Sequence, residues 1–264
     1  YEGADYDLVT IPLGAGTVHV FVLRSPHRGI PGNWSLDRWQ AGHKADMLPR
    51  LRLHMRDHAA PKPAFSHDDV TLLTRETAFK AYFRIDRYRV RHPLMRGGQS
   101  GEIVRELFER GRAAAVLPYD PVRDEVVLIR QFRVGPYANG EAPWAIEIVA
   151  GIIDSGETAE AVARRELMEE ANLEAKGPLL RIGTCYVSPG GSTETCENFV
   201  AAVDTARAGG VFGLPEEDED IQVLVWPFER AFRALADGLI TAAPAIIALQ
   251  WLALNRERLR REWR

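Results

Sequence analysis

Cysteine is nearly absent from this chain: Cys185 and Cys196 are the only two among 264 residues. Two thiols cannot build the disulfide framework of a small secreted domain, so they read as reduced, half-buried side chains of a cytoplasmic protein. No apolar run approaches the roughly 20 residues that a membrane span needs, and none of the sequence reads as a signal peptide. A surplus of positive charge is missing as well: 33 Lys and Arg face 37 Asp and Glu, and the net charge of −4 argues against a nucleic-acid footprint. What is present is 46% apolar residues, enough for one large or two modest domains with a proper core. The chain starts at Tyr1 rather than Met, which we read as a fragment in preference to a processed protein.

The run GIIDSGETAEAVARRELMEEANL, residues 151–173, stands out because its acids fall where core residues belong. Plotted at about 100° per residue, Ala159, Val162, Ala163 and Leu167 share one arc, with Glu166 and Glu170 in the middle of it. Like charges four residues apart repel, and carboxylates facing a core lose solvation, so a divalent cation is the natural third party. Glu169 reaches the same ion from the flank. Oxygen ligands of this kind suit Mg²⁺ or Mn²⁺ and not zinc. The bland alternative is a solvated acidic face partnered by Arg164 and Arg165.

As a template the run is Gly151, five residues, Glu157, seven residues, Arg165-Glu166-Leu167, one residue, then Glu169-Glu170. This resembles the signature of the Nudix hydrolases, with Asn172 where the family carries a glycine. That glycine sits just past the helix in the left-handed region, which Asn tolerates next best, so the substitution concerns the cap and no ligand is lost.

From Thr74 onward the chain resembles one branch of that superfamily, the bacterial ADP-ribose pyrophosphatases. The resemblance rests on Phe108-Glu109-Arg110-Gly111, on the stretch from Pro121 to Ile129, on Val149-Ala150-Gly151, on Ser188-Pro189-Gly190-Gly191 and on Ile247-Ala248-Leu249-Gln250-Trp251. Pro189 follows the signature at the spacing common among ADP-ribose-cleaving members, although the same four residues also read simply as a turn. The resemblance implies an α/β/α sandwich with a mixed sheet, preceded by a small antiparallel β domain used in dimerisation. It also implies Mg²⁺-dependent hydrolysis of ADP-ribose to AMP and ribose 5-phosphate by a domain-swapped homodimer.

The same resemblance implies roles for individual residues. The Ala150 carbonyl, Glu166, Glu169, Glu170 and Glu219 would hold metal, and Glu217 in the acidic loop 216–220 would be the general base. Arg133 would meet the diphosphate, with Ile152, Ser188, Pro189 and Gly190 lining the pocket. Tyr82, Arg105, Glu106, Arg110 and Glu194 would come from the partner subunit, around the adenosine and the terminal ribose. Glu157 would steady the loop and helix start, and Arg165 would orient a neighbouring glutamate. Two other functions stay open: hydrolysis of another nucleoside diphosphate sugar or dinucleotide, and a non-catalytic nucleotide sensor.

Residues 1–60 form a separate segment. Tyr1-Glu2-Gly3, Tyr6, a strand over 17–23, Gly32-Asn33-Trp34 and Trp39 resemble the end of gamma-glutamylcyclotransferase-like domains, with a closing helix over 46–58. An unrelated appendage is the alternative. Two prolines in 59–63 make a linker. A small β domain then spans 64–110, with strands over 70–79, 82–91 and 102–108. In 111–264, strands are expected over 113–118, 126–131, 144–150, 180–187, 198–203 and 221–226, with closing helices over 228–237 and 243–261, an α/β sandwich.

Overall fold

The computed structural model describes residues 6–13, 16–23, 64–214 and 218–263, and the chain divides into two units, Tyr1–Ala64 and Phe65–Arg264. In the first unit, β1 (Tyr6–Leu13) and β2 (Gly16–Leu23) pair antiparallel with Tyr6 opposite Leu23. The strand expected over 17–23 is β2. Trp34, Trp39, the helix over 46–58 and the linker over 59–63 lie outside the described residues.

The second unit opens with a three-stranded antiparallel sheet of β3 (Thr71–Lys80), β4 (Arg84–Arg91) and β5 (Ile103–Glu109). Every residue of β3 is exposed, including Leu72, Leu73 and Phe79. Three strands with so little beneath them cannot supply a core of their own.

The main sheet contains β6 (Arg112–Asp120), β7 (Glu125–Phe132), β8 (Trp144–Glu147), β9 (Val149–Ile152), β10 (Leu180–Tyr186), β11 (Thr195–Ala202), β12 (Gly210–Phe212) and β13 (Ile221–Pro227). Its main path runs β10-β11-β6-β7-β13-β12. Only β11 and β6 run parallel, so the sheet is mixed. After β7 comes a short helix, α1 (Val134–Ala138), and α2 (Ala159–Ala171) follows β9. The last elements are α3 (Phe228–Ala236) and α4 (Ala243–Glu262).

Alternation along the strands divides the core. Ala114, Val116, Val127, Ile129 and Val149 pack with Val162, Ala163 and Leu167 of α2 on one face. On the other, Leu117, Leu128 and Ile146 pack with Phe228 of α3 and Ala248, Leu249 and Leu252 of α4. A sheet covered on both faces explains why β6 reads as an almost unbroken apolar run. Among the described residues no helix is long and apolar enough to cross a membrane.

One expectation is corrected. The stretch 144–150, expected as a single strand, breaks at Ile148 into β8 and β9 because β6 and β7 form a fork. They pair only at Tyr119–Val126 and Asp120–Glu125. Beyond that they diverge, β8 lines β7 from Glu147 to Trp144, and β9 lines β6 from Val149 to Ile152. One straight strand could not serve both arms. The break sets Gly151 on the α2 face and brings the backbone N–H of Ala150 within reach of that helix, while the Ala150 methyl packs on the opposite face. The short β12 and α1 are also additions to the expected elements.

The closed end of the fork is held by buried Asp120. Its Oδ1 accepts from the N–H groups of Val122 (2.8 Å) and Arg123 (3.0 Å), and its Oδ2 from Arg123 Nη1 (2.9 Å) and from Thr205 N (3.0 Å) and Oγ1 (3.1 Å). Burial alone would raise the pKa of this carboxyl, but these donors outweigh it and hold the value at about 2, against 3.8 ordinarily. A depressed value means that the stabilisation is complete above the ordinary pKa and is lost as pH falls toward 2. Asp120→Asn is therefore expected to cost on the order of 2 kcal/mol near neutral pH. Urea melts of both proteins should show the gap closing under acid; a gap independent of pH would contradict this account.

Candidate active site

The helix that carries the acids is delimited by its own sequence. Thr158 caps it, its Oγ1 accepting from Ala161 N at 3.2 Å, and Glu157 Oε2 accepts from Asp154 N at 3.1 Å, tying down the loop before it. At the other end Asn172 adopts the left-handed conformation, φ 51° and ψ 45°. Its N–H donates to the Met168 carbonyl (3.0 Å), and that of Leu173 donates to the Leu167 carbonyl (3.1 Å). Asn172 thus takes the place of the signature glycine as a cap.

Between the caps, Ala159, Val162, Ala163, Leu167 and Ala171 are buried, and Glu170 is buried with them at 2% exposure. Glu166 stands nearer the rim, its side chain 13% exposed. The bland alternative accounts for other charges on this helix. Arg164 donates to Glu160 and to the Gly177 carbonyl, both at 2.8 Å. Arg165 Nη1 lies 2.9 Å from Glu166 Oε1 and 3.0 Å from Glu169 Oε2. Glu170 has neither arginine.

Strand β9 meets this helix at close range. Ala150 N donates to Glu170 Oε2 at 3.0 Å. At Gly151 a Cβ would fall 1.9 Å from Glu166 Oε1, so only glycine leaves room for that carboxylate. Burial pushes the Glu170 carboxyl up to about 8, with the charges of Glu166 and Glu219 adding to the shift and the Ala150 N–H and Arg133 opposing it. Glu219 is fixed by its own loop: its Oε2 accepts from Leu214 N at 3.1 Å, and its Cβ packs on Gly213, where an added Cβ would come within 2.6 Å. Glu217 lies outside the described residues.

In kind, these groups fit a hard divalent cation: carboxylates of Glu166, Glu169, Glu170 and Glu219 beside the backbone of Ala150. Glu170 supplies the physical demand, since a buried carboxylate next to two others needs a counter-charge or a proton. Among the described residues, however, no three His, Cys, Asp or Glu side chains converge closely enough to hold an ion as they stand. Glu169 is engaged by Arg165, and Glu170 is turned onto the Ala150 N–H. Filling the site requires those carboxylates to change partners.

The remaining candidates fall into two groups. Arg133, at the end of β7, influences Glu170 electrostatically, and Ile152 ends β9. The turn 188–191 is pinned to the end of β5: Ser188 O accepts from Gly191 N (3.1 Å) and Ser192 N (2.9 Å), and Gly191 O accepts from Phe108 N (2.8 Å). Pro189 and Gly190 form its tip. Glu194 follows, its N–H donating to Ser192 Oγ at 3.1 Å, and the Arg110 guanidinium lies 5.0 Å from the Phe83 ring centre. Tyr82, Arg105 and Glu106 belong to the small sheet and find partners within it: Phe83 edge-on at 4.7 Å, the Val104 carbonyl at 2.8 Å and Arg87 at 2.9 Å respectively. Tyr82 is 87% exposed.

Two polar residues on the α2 face escaped the sequence reading. Glu147 Oε2 accepts from Arg133 Nε at 2.8 Å, and Gln131 is buried between Ile129 and Arg133 along that face. The usable signal was a glutamine and a glutamate on the two-residue period of apolar strands.

The fold and this helix define the class. The NUDIX domain model matches residues 109–249, more than half of the chain, which therefore belongs to the Nudix hydrolase family. Among its relatives is an ADP-ribose pyrophosphatase of Escherichia coli (strain K12), 47% identical over 201 residues, covering 75% of this chain and 95% of that one. A GDP-mannose pyrophosphatase of Shigella flexneri serotype 5b (strain 8401) is 35% identical over 191 residues, 70% of this chain and 96% of the other. Among solved structures, that of an ADP compounds hydrolase shares the fold with a TM-score of 0.53 at 23% identity, covering 72% of this chain and 97% of that chain.

Proposed function

We propose that this chain hydrolyses the diphosphate of ADP-ribose to AMP and ribose 5-phosphate, using Mg²⁺, with Mn²⁺ as a substitute. The observation that carries the reading is the placement of Glu170 in the core beside Glu166, which itself sits in a space that only Gly151 leaves open. The 47% identity to an ADP-ribose pyrophosphatase favours the substrate.

A diphosphate resists attack because its oxygens repel a nucleophile; the cation, when bound, neutralises that charge and orients water. Glu166, Glu169, Glu170, Glu219 and the Ala150 carbonyl would hold it. Glu217 takes the proton from the attacking water. Arg133 presents its fork to the diphosphate while Glu147 holds its Nε, and Ile152 with Ser188, Pro189 and Gly190 borders the substrate. Residues 111–264 would carry the catalysis. Residues 64–110, exchanged between the subunits of a homodimer, would present Tyr82, Arg105, Glu106 and Arg110, with Glu194, to the other subunit's substrate. The fully exposed β3 favours that arrangement, since a second copy would cover it.

The test is a product assay with ADP-ribose and GDP-mannose side by side, with Mg²⁺ in oxygen-18 water. We expect ADP-ribose to be consumed preferentially and the label to appear in AMP. A preference for GDP-mannose would transfer the chain to the other relatives' substrate, label in ribose 5-phosphate would move the base away from Glu217, and binding without turnover would make it a sensor.

A further inference from the structure

The α2 face of the sheet holds one polar group that the proposed mechanism does not use. Val127 and Ile129 of β7 pack with Val162, Ala163 and Leu167 of α2, so the two-residue period of the strand turns Gln131 the same way, with Arg133 next in line. Gln131 is 5% exposed, and its Nε2 has no hydrogen-bond partner among the described residues. An unpaired buried donor costs about 1–3 kcal/mol, and an apolar side chain of the same length would avoid that cost.

The neighbours indicate what the donor is for. In the β7–β8 ladder Gln131 faces Ala145, and Glu147 lies two residues further along β8 on the same face. Glu147 accepts from Arg133 Nε at 2.8 Å, which leaves both terminal nitrogens of that guanidinium for an anion. An unpaired N–H donor beside a cation whose fork is held open suits an oxygen-rich, negatively charged group.

We propose that Gln131 is a substrate-contacting residue, its Nε2 donating to an oxygen of the diphosphate alongside the Arg133 fork. This rests on the reading of Arg133 as a diphosphate ligand. In the free enzyme the donor is held ready and unpaired; in the complex it is satisfied. Stability and affinity are therefore expected to move in opposite directions when it is removed.

The experiment compares wild type, Gln131→Met and Arg133→Ala in the full chain with Mg²⁺. The readouts are melting temperature, KM and kcat for ADP-ribose, and calorimetric binding of its α,β-methylene analogue. We expect Gln131→Met to melt higher than wild type, to bind the analogue roughly tenfold more weakly and to show a KM raised by a similar factor, the size of one lost hydrogen bond. Unchanged KM and analogue affinity in a folded Gln131→Met overturn the inference. Should that variant not fold, Gln131→Glu keeps the size and places a carboxylate against the diphosphate, and undiminished affinity there is equally fatal. Arg133→Ala separates the two readings: if its KM is unchanged, Arg133 is not a diphosphate ligand, and if it rises while Gln131→Met does not, only the role of Gln131 is lost.

Discussion

Glu170→Gln is expected to remove hydrolysis, by on the order of 10³-fold, while making the metal-free protein more stable than wild type at alkaline pH. Both halves follow from one side chain. Glu170 is a core residue by position, 2% exposed, and its carboxyl is pushed up to about 8 chiefly by burial. A folded-state value above the ordinary 4.5 means that the native state binds the extra proton. The stability it contributes is complete below that ordinary value and is lost as pH climbs through the folded value. Glutamine has the shape of the protonated acid, keeps an oxygen for the Ala150 N–H, and never acquires the charge. Melting curves in EDTA should show wild type weakening from about pH 5 to about pH 8 while Glu170→Gln stays level across that interval. Mg²⁺ should raise the melting temperature of wild type and leave that of the variant nearly unmoved. Wild-type-like turnover in Glu170→Gln, or in Glu166→Gln, would remove the catalytic role of this helix.

Gly151→Ala is expected to lower activity by about 10²-fold with the fold kept, an effect comparable to misplacing a group that meets charge in the reaction. The added methyl would sit 1.9 Å from Glu166 Oε1 and 2.2 Å from its Cδ. The obstacle is the end of a flexible side chain at the rim of the core, so Glu166 can swing aside at little cost in stability. Once displaced it no longer stands beside Glu170. The signature is an activity close to that of Glu166→Gln together with a melting temperature near wild type. A Gly151→Ala enzyme that turns over normally would show that the carboxylate does not act from this position. A variant that fails to fold would mean that the helix, and not the side chain, gives way.

How much of this was legible in the sequence depends on how far apart the interacting residues are along the chain. The helical arc uniting Ala159, Val162, Ala163 and Leu167 with Glu170 repeats every three or four residues, and the Thr158 and Asn172 caps act within one turn. Such relations are written in consecutive residues. The strands β3, β4 and β5 were likewise visible in their alternation, to within a few residues.

The break at Ile148 was not, because nothing in 144–150 records that β6 and β7 part after Tyr119 and Val126. Nor could spacing show that Gly151 is required by Glu166, or that Glu147 takes hold of Arg133, since each pair meets only once the ladders are in register. The sequence by itself determined the acid-bearing helix, its limits and its family, since these follow from local periodicity and side-chain chemistry. The tertiary structure alone decided which acid is buried, which is crowded against glycine, and that Gln131 is buried on the α2 face of the sheet without a partner for its Nε2 among the described residues. Burial and close approach belong to pairs of segments, and no single segment encodes them.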